Sequence, residues 1–293
     1  MSAGTSDTLM SRYRTIQRIT AAPAVTDGDG VLIHRAFPSN QISELDPFLL
    51  LDHMGPMDLK PGEARGFPDH PHRGFETVTY LLAGEFQHRD SFGHAGVLHP
   101  GDVQWMTAGS GLVHSEVPGD SLVKNGGRME GFQLWVNLPK RDKMKPPHYQ
   151  EIGAALIPVA TAGDAVSVKV IAGEAAGVKG AVETHIPIQY LHFTLKAGAK
   201  YVHDVAAKLN AMVYVLKGSA VVAGKTVEKF HLAALANDGD AVEIGANEDA
   251  ELLFLAAQPI HEPVARYGPF VMNTREELQQ AFEDYRNGKM GTL

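Results

Sequence analysis

Short apolar runs make up most of this chain, and glycine, proline or aspartate separates them. The runs are rich in β-branched, aromatic and leucine residues, as in TVTYLL (77–82), GFQLWV (131–136), LHFTL (191–195) and MVYVL (212–216). Many short strands with frequent turns are typical of a β-sandwich or barrel rather than of alternating strands and helices. The pattern therefore predicts an all-β fold.

An amphipathic helix is predicted near the end of the sequence. Thr274 and Glu277 have the spacing of a capping box. An apolar stripe with the period of a helix follows at Leu278, Ala281, Phe282 and Tyr285. Gly288 predicts the end of the helix, because glycine readily adopts the conformation that terminates helices. We expect this short C-terminal helix to be structural.

A weak internal repeat divides the chain into two similar halves. TYLLAGEF (79–86) resembles VYVLKGSA (213–220), and each reads as a strand that ends in a glycine turn. Further along, HPGDV (99–103) resembles NDGDA (237–241), at a similar spacing from the first pair. The repeat predicts a duplicated β-barrel.

The boundary between the halves is predicted from composition. The stretch PKRDKMKPP (139–147) is polar and proline-containing, which is typical of a surface connection. We therefore predict one barrel over residues 1–147 and a second over residues 148–293, ending in the helix. Two domains also suit a chain of 293 residues.

Histidines are concentrated in the first half, where seven of the 14 lie between His53 and His114. His70 and His72 are two residues apart, and residues i and i+2 of an extended chain point to the same side. His114 and Glu116 have the same spacing. Two such pairs on neighbouring strands would bring together three imidazoles and one carboxylate, with coordination positions left open. The spacing predicts a site for one divalent metal ion.

The chain has no cysteine, so any metal must be held by nitrogen and oxygen ligands. Three imidazoles with one carboxylate suit Fe(II), Mn, Ni, Cu or Zn. Structural zinc sites are usually closed and rich in cysteine, whereas an open site is typical of catalysis. Glu76 competes with Glu116 for the carboxylate position, because Glu76 lies on the same face of its strand as His72.

Charge and hydropathy limit the partners. The formal net charge is −8 and the pI is about 5.9, with no clustered basic face, so we expect no direct contact with nucleic acid. No apolar run approaches the length of a membrane span, and residues 1–19 lack the apolar core of a signal peptide. We expect a cytoplasmic protein that does not enter a membrane.

The histidine-rich segment resembles the cupin signature in part. HPHRGFE (70–76), followed by Gly84, resembles the first cupin motif with one extra residue before the glycine. PGD (100–102) and GLVH (111–114) resemble the second motif, although Gly109 stands where cupins commonly have proline.

Longer segments resemble the pirin family nearly residue for residue. They are HPHRGFETVTYLLAGEFQHRDSFGHAGVLHPGDVQWMTAGSGLVHSE (70–116), GFQLWVNLP (131–139) and GPFVMNTREELQQAFEDYRNGKMG (268–291). The resemblance covers most of the chain. It implies two tandem cupin barrels of the jelly-roll type, with a mononuclear metal, often iron, in the N-terminal barrel.

The resemblance also implies site residues. It carries the metal ligands onto His70, His72, His114 and Glu116, and it leaves Glu76 with a structural or supporting role. On this basis we expect Fe(II), with Cu, Ni, Mn or Zn as alternatives. In the C-terminal barrel the matching positions are Asp204, Ala206, Leu252 and Phe254, so we expect no metal there.

The pirin resemblance implies quercetin 2,3-dioxygenase activity on a flavonol-like aromatic substrate with O2. The metal would act as a Lewis acid on the 3-hydroxyl group, and Glu116, as the catalytic carboxylate, would accept its proton. The alternative is a redox-sensing regulator that acts through protein partners without turnover. A metal-dependent isomerase or hydrolase, which would need no oxygen, is a third class found among cupins.

Other residues near the predicted site admit two interpretations. Arg73 either orients a carboxylate or an anionic substrate, or forms a surface ion pair. The large apolar side chains of this region, Trp105, Met106, Phe132 and Trp135, are predicted as barrel core rather than substrate wall. The remaining histidines are not expected to bind metal: His88, His94 and His99 read as turn or rim residues, and His203 and His231 as ordinary surface or core residues.

Overall fold

The structure, a computed structural model, describes residues 13–293. The signal-peptide prediction concerned residues 1–19, and residues 1–12 of that segment lie outside the described residues. Strand accounts for 54% of the chain and helix for 7%, which confirms the predicted all-β class. None of the described helices is long and apolar enough to cross a membrane.

The strands of the first half are β1 (Ile16–Ala21), β2 (Ala24–Asp27), β3 (Val31–Phe37), β4 (Phe48–Leu59), β5 (Phe67–His72), β6 (Phe75–Ala83), β7 (Phe86–Asp90), β8 (Ala95–Leu98), β9 (Val103–Thr107), β10 (Leu112–Pro118) and β11 (Gly127–Asn137). A short helix, α1 (Asp120–Asn125), lies between β10 and β11.

The strands that follow are β12 (His148–Ile152), β13 (Val159–Ala162), β14 (Val166–Ala172), β15 (Glu174–Ala175), β16 (Val178–Lys179), β17 (Ile188–Leu195), β18 (Lys200–Asp204), β19 (Asn210–Lys217), β20 (Ser219–Val222), β21 (Lys225–Glu228), β22 (His231–Leu235), β23 (Ala241–Gly245), β24 (Ala250–Ala257), β25 (Ala265–Tyr267) and β26 (Phe270–Met272). A 3-10 turn covers Ala154–Leu156, and helix α2 (Arg275–Arg286) closes the fold.

Each half forms a large sheet facing a smaller one, as the duplicated barrel predicts. In the first half the order β12-β9-β6-β11-β4-β3-β2 lies opposite β5-β10-β7-β8. In the second half the order β1-β22-β19-β24-β17-β14-β13 lies opposite β18-β23-β20-β21. The paired strands are antiparallel, so each strand can present one face to the barrel interior and the other to the outside. Two tandem cupin barrels are thereby confirmed.

The two barrels exchange strands at their edges. β1 pairs with β22 of the second barrel, and β12 pairs with β9 of the first. Strand pairing therefore crosses the predicted boundary between residues 147 and 148 in both directions. The boundary stays a prediction, and the exchange joins the barrels through backbone hydrogen bonds as well as through side chains.

The outer faces of the large sheets pack against each other in an apolar interface. Phe132, Trp105 and Tyr80 from the first barrel meet Tyr190 and Tyr214 from the second, all of them buried. The alternation in β6 explains this contact, since Val78 and Tyr80 point outward to the partner sheet while Thr77 and Thr79 point into the barrel. Trp105 and Phe132 are therefore buried in the interface between the barrels, and not in the interior of one barrel as predicted.

Helix α2 begins and ends as the sequence predicts. The Thr274 hydroxyl accepts from the Glu277 backbone N–H at 3.2 Å, and the Glu277 carboxylate accepts in return from the Thr274 N–H at 3.1 Å. Beyond Asn287, Gly288 adopts a φ of +71° that ends the helix. The apolar stripe packs with Val113 of β10, so the helix lies on the first barrel.

Candidate metal centre

Three histidine side chains converge inside the first barrel. β5 and β10 pair antiparallel, with His70 opposite His114 and His72 opposite Leu112. Nε2 of His70 lies 3.0 Å from Nε2 of His72 and 3.0 Å from Nε2 of His114. Potential ligand atoms of the three residues all lie within 4.8 Å of one another. Among residues 13–293 this is the group of His, Asp and Glu side chains with metal-binding geometry.

Backbone carbonyls fix the ring orientation of two of these histidines. Nδ1 of His70 donates to the Pro68 carbonyl at 2.7 Å, and Nδ1 of His72 donates to the Pro269 carbonyl at 3.4 Å. A proton on Nδ1 leaves the Nε2 lone pair free to bind a metal. Within the described chain, Nδ1 of His114 has no hydrogen-bond partner.

Burial keeps the imidazoles of His72 and His114 uncharged. Desolvation, and then the neighbouring His70, lower the pKa of His72 well below 6.5. Desolvation lowers the pKa of His114 in the same direction, with further contributions from His72 and His70. Neutral imidazole is the form that ligates metals. The electrostatics therefore keep His72 and His114 in the form that can bind a metal at neutral pH.

The arrangement fits a metal ion. Lone pairs of neutral imidazoles that face one another at 3.0 Å repel, and a cation placed between them removes the repulsion. Two nitrogens at right angles around a metal at about 2.1 Å are themselves about 3.0 Å apart. The His70–His72 and His70–His114 separations therefore suit adjacent positions of one coordination sphere.

Glu116, the fourth predicted ligand, lies beside this cluster but not within the same mutual distance. A β-bulge between His114 and Glu116 shifts the register of β10 against β5. The carboxylate accepts from the Thr79 hydroxyl at 2.6 Å and from Gln133 Nε2 at 2.9 Å. Its role as a ligand stays a prediction. Thr79 and Gln133 were missed by the sequence reasoning, although the polar inward face of TVTYLL is a signal for Thr79.

Glu76, the competing carboxylate, is bound elsewhere. Its Oε1 accepts from the Thr107 hydroxyl at 2.7 Å and lies 3.0 Å from Nδ1 of His185, which comes from the second half of the chain. The hydrogen bond to Glu76 raises the pKa of His185 above its usual value. The contacts of Glu76 thus connect the two halves of the chain.

The C-terminal segment returns to the metal cluster and supports it. Arg73, the residue after His72, is buried and donates to the Ser110 carbonyl at 2.7 Å and to Asp284 of α2 at 2.8 Å. Arg73 therefore forms an ion pair, but the pair is buried and not at the surface as that alternative predicted. Lys143, also buried, donates from Nζ to the carbonyl groups of Gly74 and Val271 at 2.7 and 3.0 Å, and to Asn137 Oδ1 at 2.6 Å.

Close approach of the C-terminal and linker segments explains two glycines near the cluster. Gly74 has a φ of +88°, and a Cβ there would lie 2.0 Å from the Val271 carbonyl oxygen. Gly109 has a φ of +52°, and a Cβ would lie 2.1 Å from the Lys145 carbonyl oxygen. Proline cannot adopt a positive φ, so the departure from the cupin pattern at Gly109 has a steric cause.

A cavity of about 540 Å³ opens beside the cluster. Its lining includes His70, His72 and Glu116 together with Gln133 and Trp135. The wall also includes apolar and charged side chains, namely Leu50, Met54, Phe67, Asp27, Arg35, Asp52, Asp69 and Arg266. Trp135 was predicted as barrel core and instead lines the cavity, whereas Met106 is buried in the core as predicted.

The remaining histidines lie outside the cluster. His88 is buried, with Nε2 2.7 Å from Glu151, so it is not a rim residue. His94 and His99 are exposed, as expected for turn residues. His203 is buried against Phe254, and burial lowers its pKa to about 4.

The second barrel has an apolar core at the positions that correspond to the metal site. Leu252 and Phe254 are fully buried in its hydrophobic core. Asp204 and Ala206 are exposed. His231 is partly exposed, and its Nδ1 lies 3.0 Å from the Lys229 carbonyl.

Comparison with known proteins agrees with this architecture. The sequence matches the family profile "Pirin" over residues 30–136 and the profile "Pirin C-terminal cupin domain" over residues 190–291. A pirin-like protein from Solanum lycopersicum is 42% identical over 287 residues, which cover 97% of this chain and 95% of the relative. The chain belongs to the pirin family.

Other relatives of this pirin have names that refer to an activity. A putative quercetin 2,3-dioxygenase from Pseudomonas aeruginosa is 44% identical over 265 residues, covering 89% of this chain and 93% of the relative. The crystal structure of a quercetin 2,3-dioxygenase from Acinetobacter baumannii superposes with a TM-score of 0.91 at 39% identity, covering 96% of this pirin and 99% of that chain.

Proposed function

We propose that this pirin is a mononuclear metal-dependent oxygenase of the quercetin 2,3-dioxygenase type. The observation that carries the proposal is the convergence of three imidazole nitrogens beside a cavity that is lined by His70, His72 and Glu116. The cavity volume of about 540 Å³ lies within the range of small-molecule sites, roughly 300–1,000 Å³. The names of similar proteins from Pseudomonas and Acinetobacter support the choice of reaction.

His70, His72 and His114 would hold the metal, and we propose Glu116 as the fourth ligand. When bound, the ion supplies Lewis acidity and, for a redox-active metal, an electron-transfer centre. Fe(II) is our first choice, and Cu, Ni, Mn and Zn remain alternatives because the same nitrogen and oxygen ligands accept all of them.

The chain's own residues prepare the flavonol for oxygen. Glu116 accepts the proton of the substrate's 3-hydroxyl group, and for this its carboxylate must face the cavity. The Thr79 hydroxyl and the Gln133 amide hold one carboxylate oxygen each, at 2.6 and 2.9 Å. A carboxylate fixed by two donors needs little reorganisation before proton transfer, which is how preorganised groups lower a barrier.

The apolar wall orients the planar substrate and excludes water. Leu50, Met54, Phe67 and Trp135 provide hydrophobic surface next to the ligands. Low water content around the cluster strengthens the interaction between charged groups. It also limits hydrolysis and other side reactions of activated intermediates. Flavonols, which are flat and mostly apolar with a few hydroxyl groups, match this lining.

The test is oxygen uptake with quercetin. Metal-free protein is reloaded separately with Fe(II), Cu(II), Ni(II) or Zn(II), and the metal content, oxygen consumption and carbon monoxide release are measured. We expect about one metal per chain and turnover with at least one redox-active ion. His72→Ala should lose both metal and activity, whereas His99→Ala, which removes an exposed histidine of the same barrel, should keep both.

Two other outcomes lead to other functions. Stoichiometric loading without oxygen uptake for any ion would refute the oxygenase and favour the alternative, a metal-dependent regulator acting through a protein partner. Turnover with Zn(II) in the absence of oxygen would instead indicate isomerase or hydrolase chemistry.

A further inference from the structure

Arg266 is a cavity-lining cation that the proposed chemistry at the metal does not use. It lies on β25, in the C-terminal segment that returns to the first barrel, and it lines the same cavity as His70, His72 and Glu116. Its guanidinium carbon lies 4.7 Å from the centre of the Trp135 ring. The same ring lies 5.2 Å from the ring of His72, so Trp135 contacts both the ligand set and Arg266.

Arg266 has no acidic partner within ion-pair distance among residues 13–293, in contrast to the other cavity arginine. Arg35 binds Asp52 through two N–H groups, at 2.9 and 2.7 Å, and also contacts Asp27. Two acidic groups of the cavity lining, Asp27 and Asp52, are therefore already paired with Arg35. Arg266 donates to a backbone carbonyl, that of Leu49 at 2.8 Å.

A half-buried guanidinium without an acidic partner raises the free energy of the folded protein, unless a ligand pairs with it. Burial, and then repulsion from Arg35, lower the pKa of Arg266, and the attraction of Glu44 and Asp52 offsets this in part. The contact with Leu49 uses one of five N–H donors. Guanidinium pairs with planar oxyanions in a two-pronged geometry that few other side chains match.

We propose that Arg266 is a specificity-determining residue that binds an anionic oxygen substituent, such as a carboxylate, on an aromatic substrate. The metal cluster would hold one end of the substrate, Trp135 would flank it, and Arg266 would bind the substituent. The inference rests on the proposed function in taking this cavity as the substrate site. It adds a substrate class, aromatic compounds that carry a negative charge away from the reacting hydroxyl group.

The test measures equilibrium binding to the full-length protein as purified, under nitrogen so that no substrate is consumed. The two probes are 3-hydroxyflavone-4'-carboxylate and its methyl ester, which differ in charge and in a methyl group. Calorimetry gives the dissociation constant of each probe, and the ratio of the two constants is the readout. Trp135→Phe with a matched fluorescence titration locates binding at the cavity.

We expect the carboxylate to bind roughly 10- to 100-fold more tightly than the ester, the range of one charge-assisted contact. Arg266→Met should bring the ratio close to one while leaving ester binding within about threefold of the wild type. Arg266→Lys should keep part of the ratio, because lysine retains the charge. It should not keep the whole ratio, because lysine cannot form the two-pronged contact. The matched control Arg275→Met, at an exposed helix position, should leave the ratio unchanged.

Other results would overturn the inference. A wild-type ratio near one, or an unchanged ratio in Arg266→Met, would show that Arg266 recognises no anion. Equal weakening of both probes would show that it only supports Trp135. Failure of the proposed oxygenase is separately visible, since it would abolish oxygen uptake without changing anaerobic selectivity.

Discussion

The ion pair between Arg73 and Asp284 should hold the metal-binding segment to the C-terminal helix. Arg73 follows His72 directly, and only 5% of its side chain is exposed, against 11% for Asp284. The Arg73 guanidinium also donates to the Ser110 carbonyl. Asp284→Ala would leave Arg73 buried without its anion, and it would also remove the contacts of Asp284 with Gln280 and Lys289.

The expected magnitude follows from the burial. Removing one partner of a buried pair costs about 3–5 kcal/mol, and the residual exposure of Asp284 places this pair near the lower end, about 3 kcal/mol. Arg73→Met removes the charge that needs a partner, so its cost should be smaller, about 1–2 kcal/mol for the lost hydrogen bonds. The double variant should therefore be more stable than Asp284→Ala alone.

Chemical and thermal denaturation of the four proteins measure these differences, and chelator competition measures the rate of metal loss. We expect Asp284→Ala to lower the unfolding temperature by roughly 5–10 °C and to accelerate metal loss. Glu283→Ala, which removes an exposed acid from the same helix, serves as the matched control. Strict additivity of the two single changes would refute the reasoning, because it would mean that the two charges do not interact.

Three further predictions concern polar contacts near the site. Burial lowers the pKa of Lys143 to about 8; since the unfolded value is higher, the free energy of unfolding should rise from about pH 8 to pH 10.5, and denaturation of Lys143→Met should lack this rise. The raised pKa of His185 beside Glu76 contributes stability below about pH 6.5, and this stability is lost as the pH rises through the folded value. In His185→Gln the free energy of unfolding should therefore depend less on pH between pH 5 and 8. An unchanged pH dependence would contradict the assignment. Thr79→Val removes one donor to Glu116 at nearly constant volume, so oxygen-uptake assays should show roughly tenfold slower turnover with unchanged metal content, and loss of metal instead would assign Thr79 a structural role.

Local patterns determined most of the architecture. The alternation in strands such as β6, the turn residues between them and the capping box of Thr274 and Glu277 are properties of neighbouring residues, so they can be read without the fold. The same holds for the His70–His72 pair, because side chains two apart on a strand must share a face. The same spacing predicted the His114–Glu116 pair, and the internal repeat predicted two barrels. Family resemblance then favoured Glu116 over Glu76 as the ligand.

The tertiary structure decided which carboxylate faces the cavity and what surrounds it. Glu76 and Glu116 have equivalent local spacing to a histidine. They differ because Glu76 meets Thr107 and His185, while a bulge directs Glu116 toward Thr79 and Gln133. Bulges depend on how two strands pair, and strand spacing along the sequence does not specify them.

Contacts between distant parts of the chain also could not be predicted from the sequence. Pro269 orients His72, from 197 residues away, and Arg266 reaches the same cavity through the return of the C-terminal segment. Such contacts depend on the path of the chain after the second barrel, which no local pattern encodes. The sequence alone thus determined the strands, the helix and the histidine pairs, whereas packing of the C-terminal segment onto the first barrel decided the cavity wall and its unpaired cation.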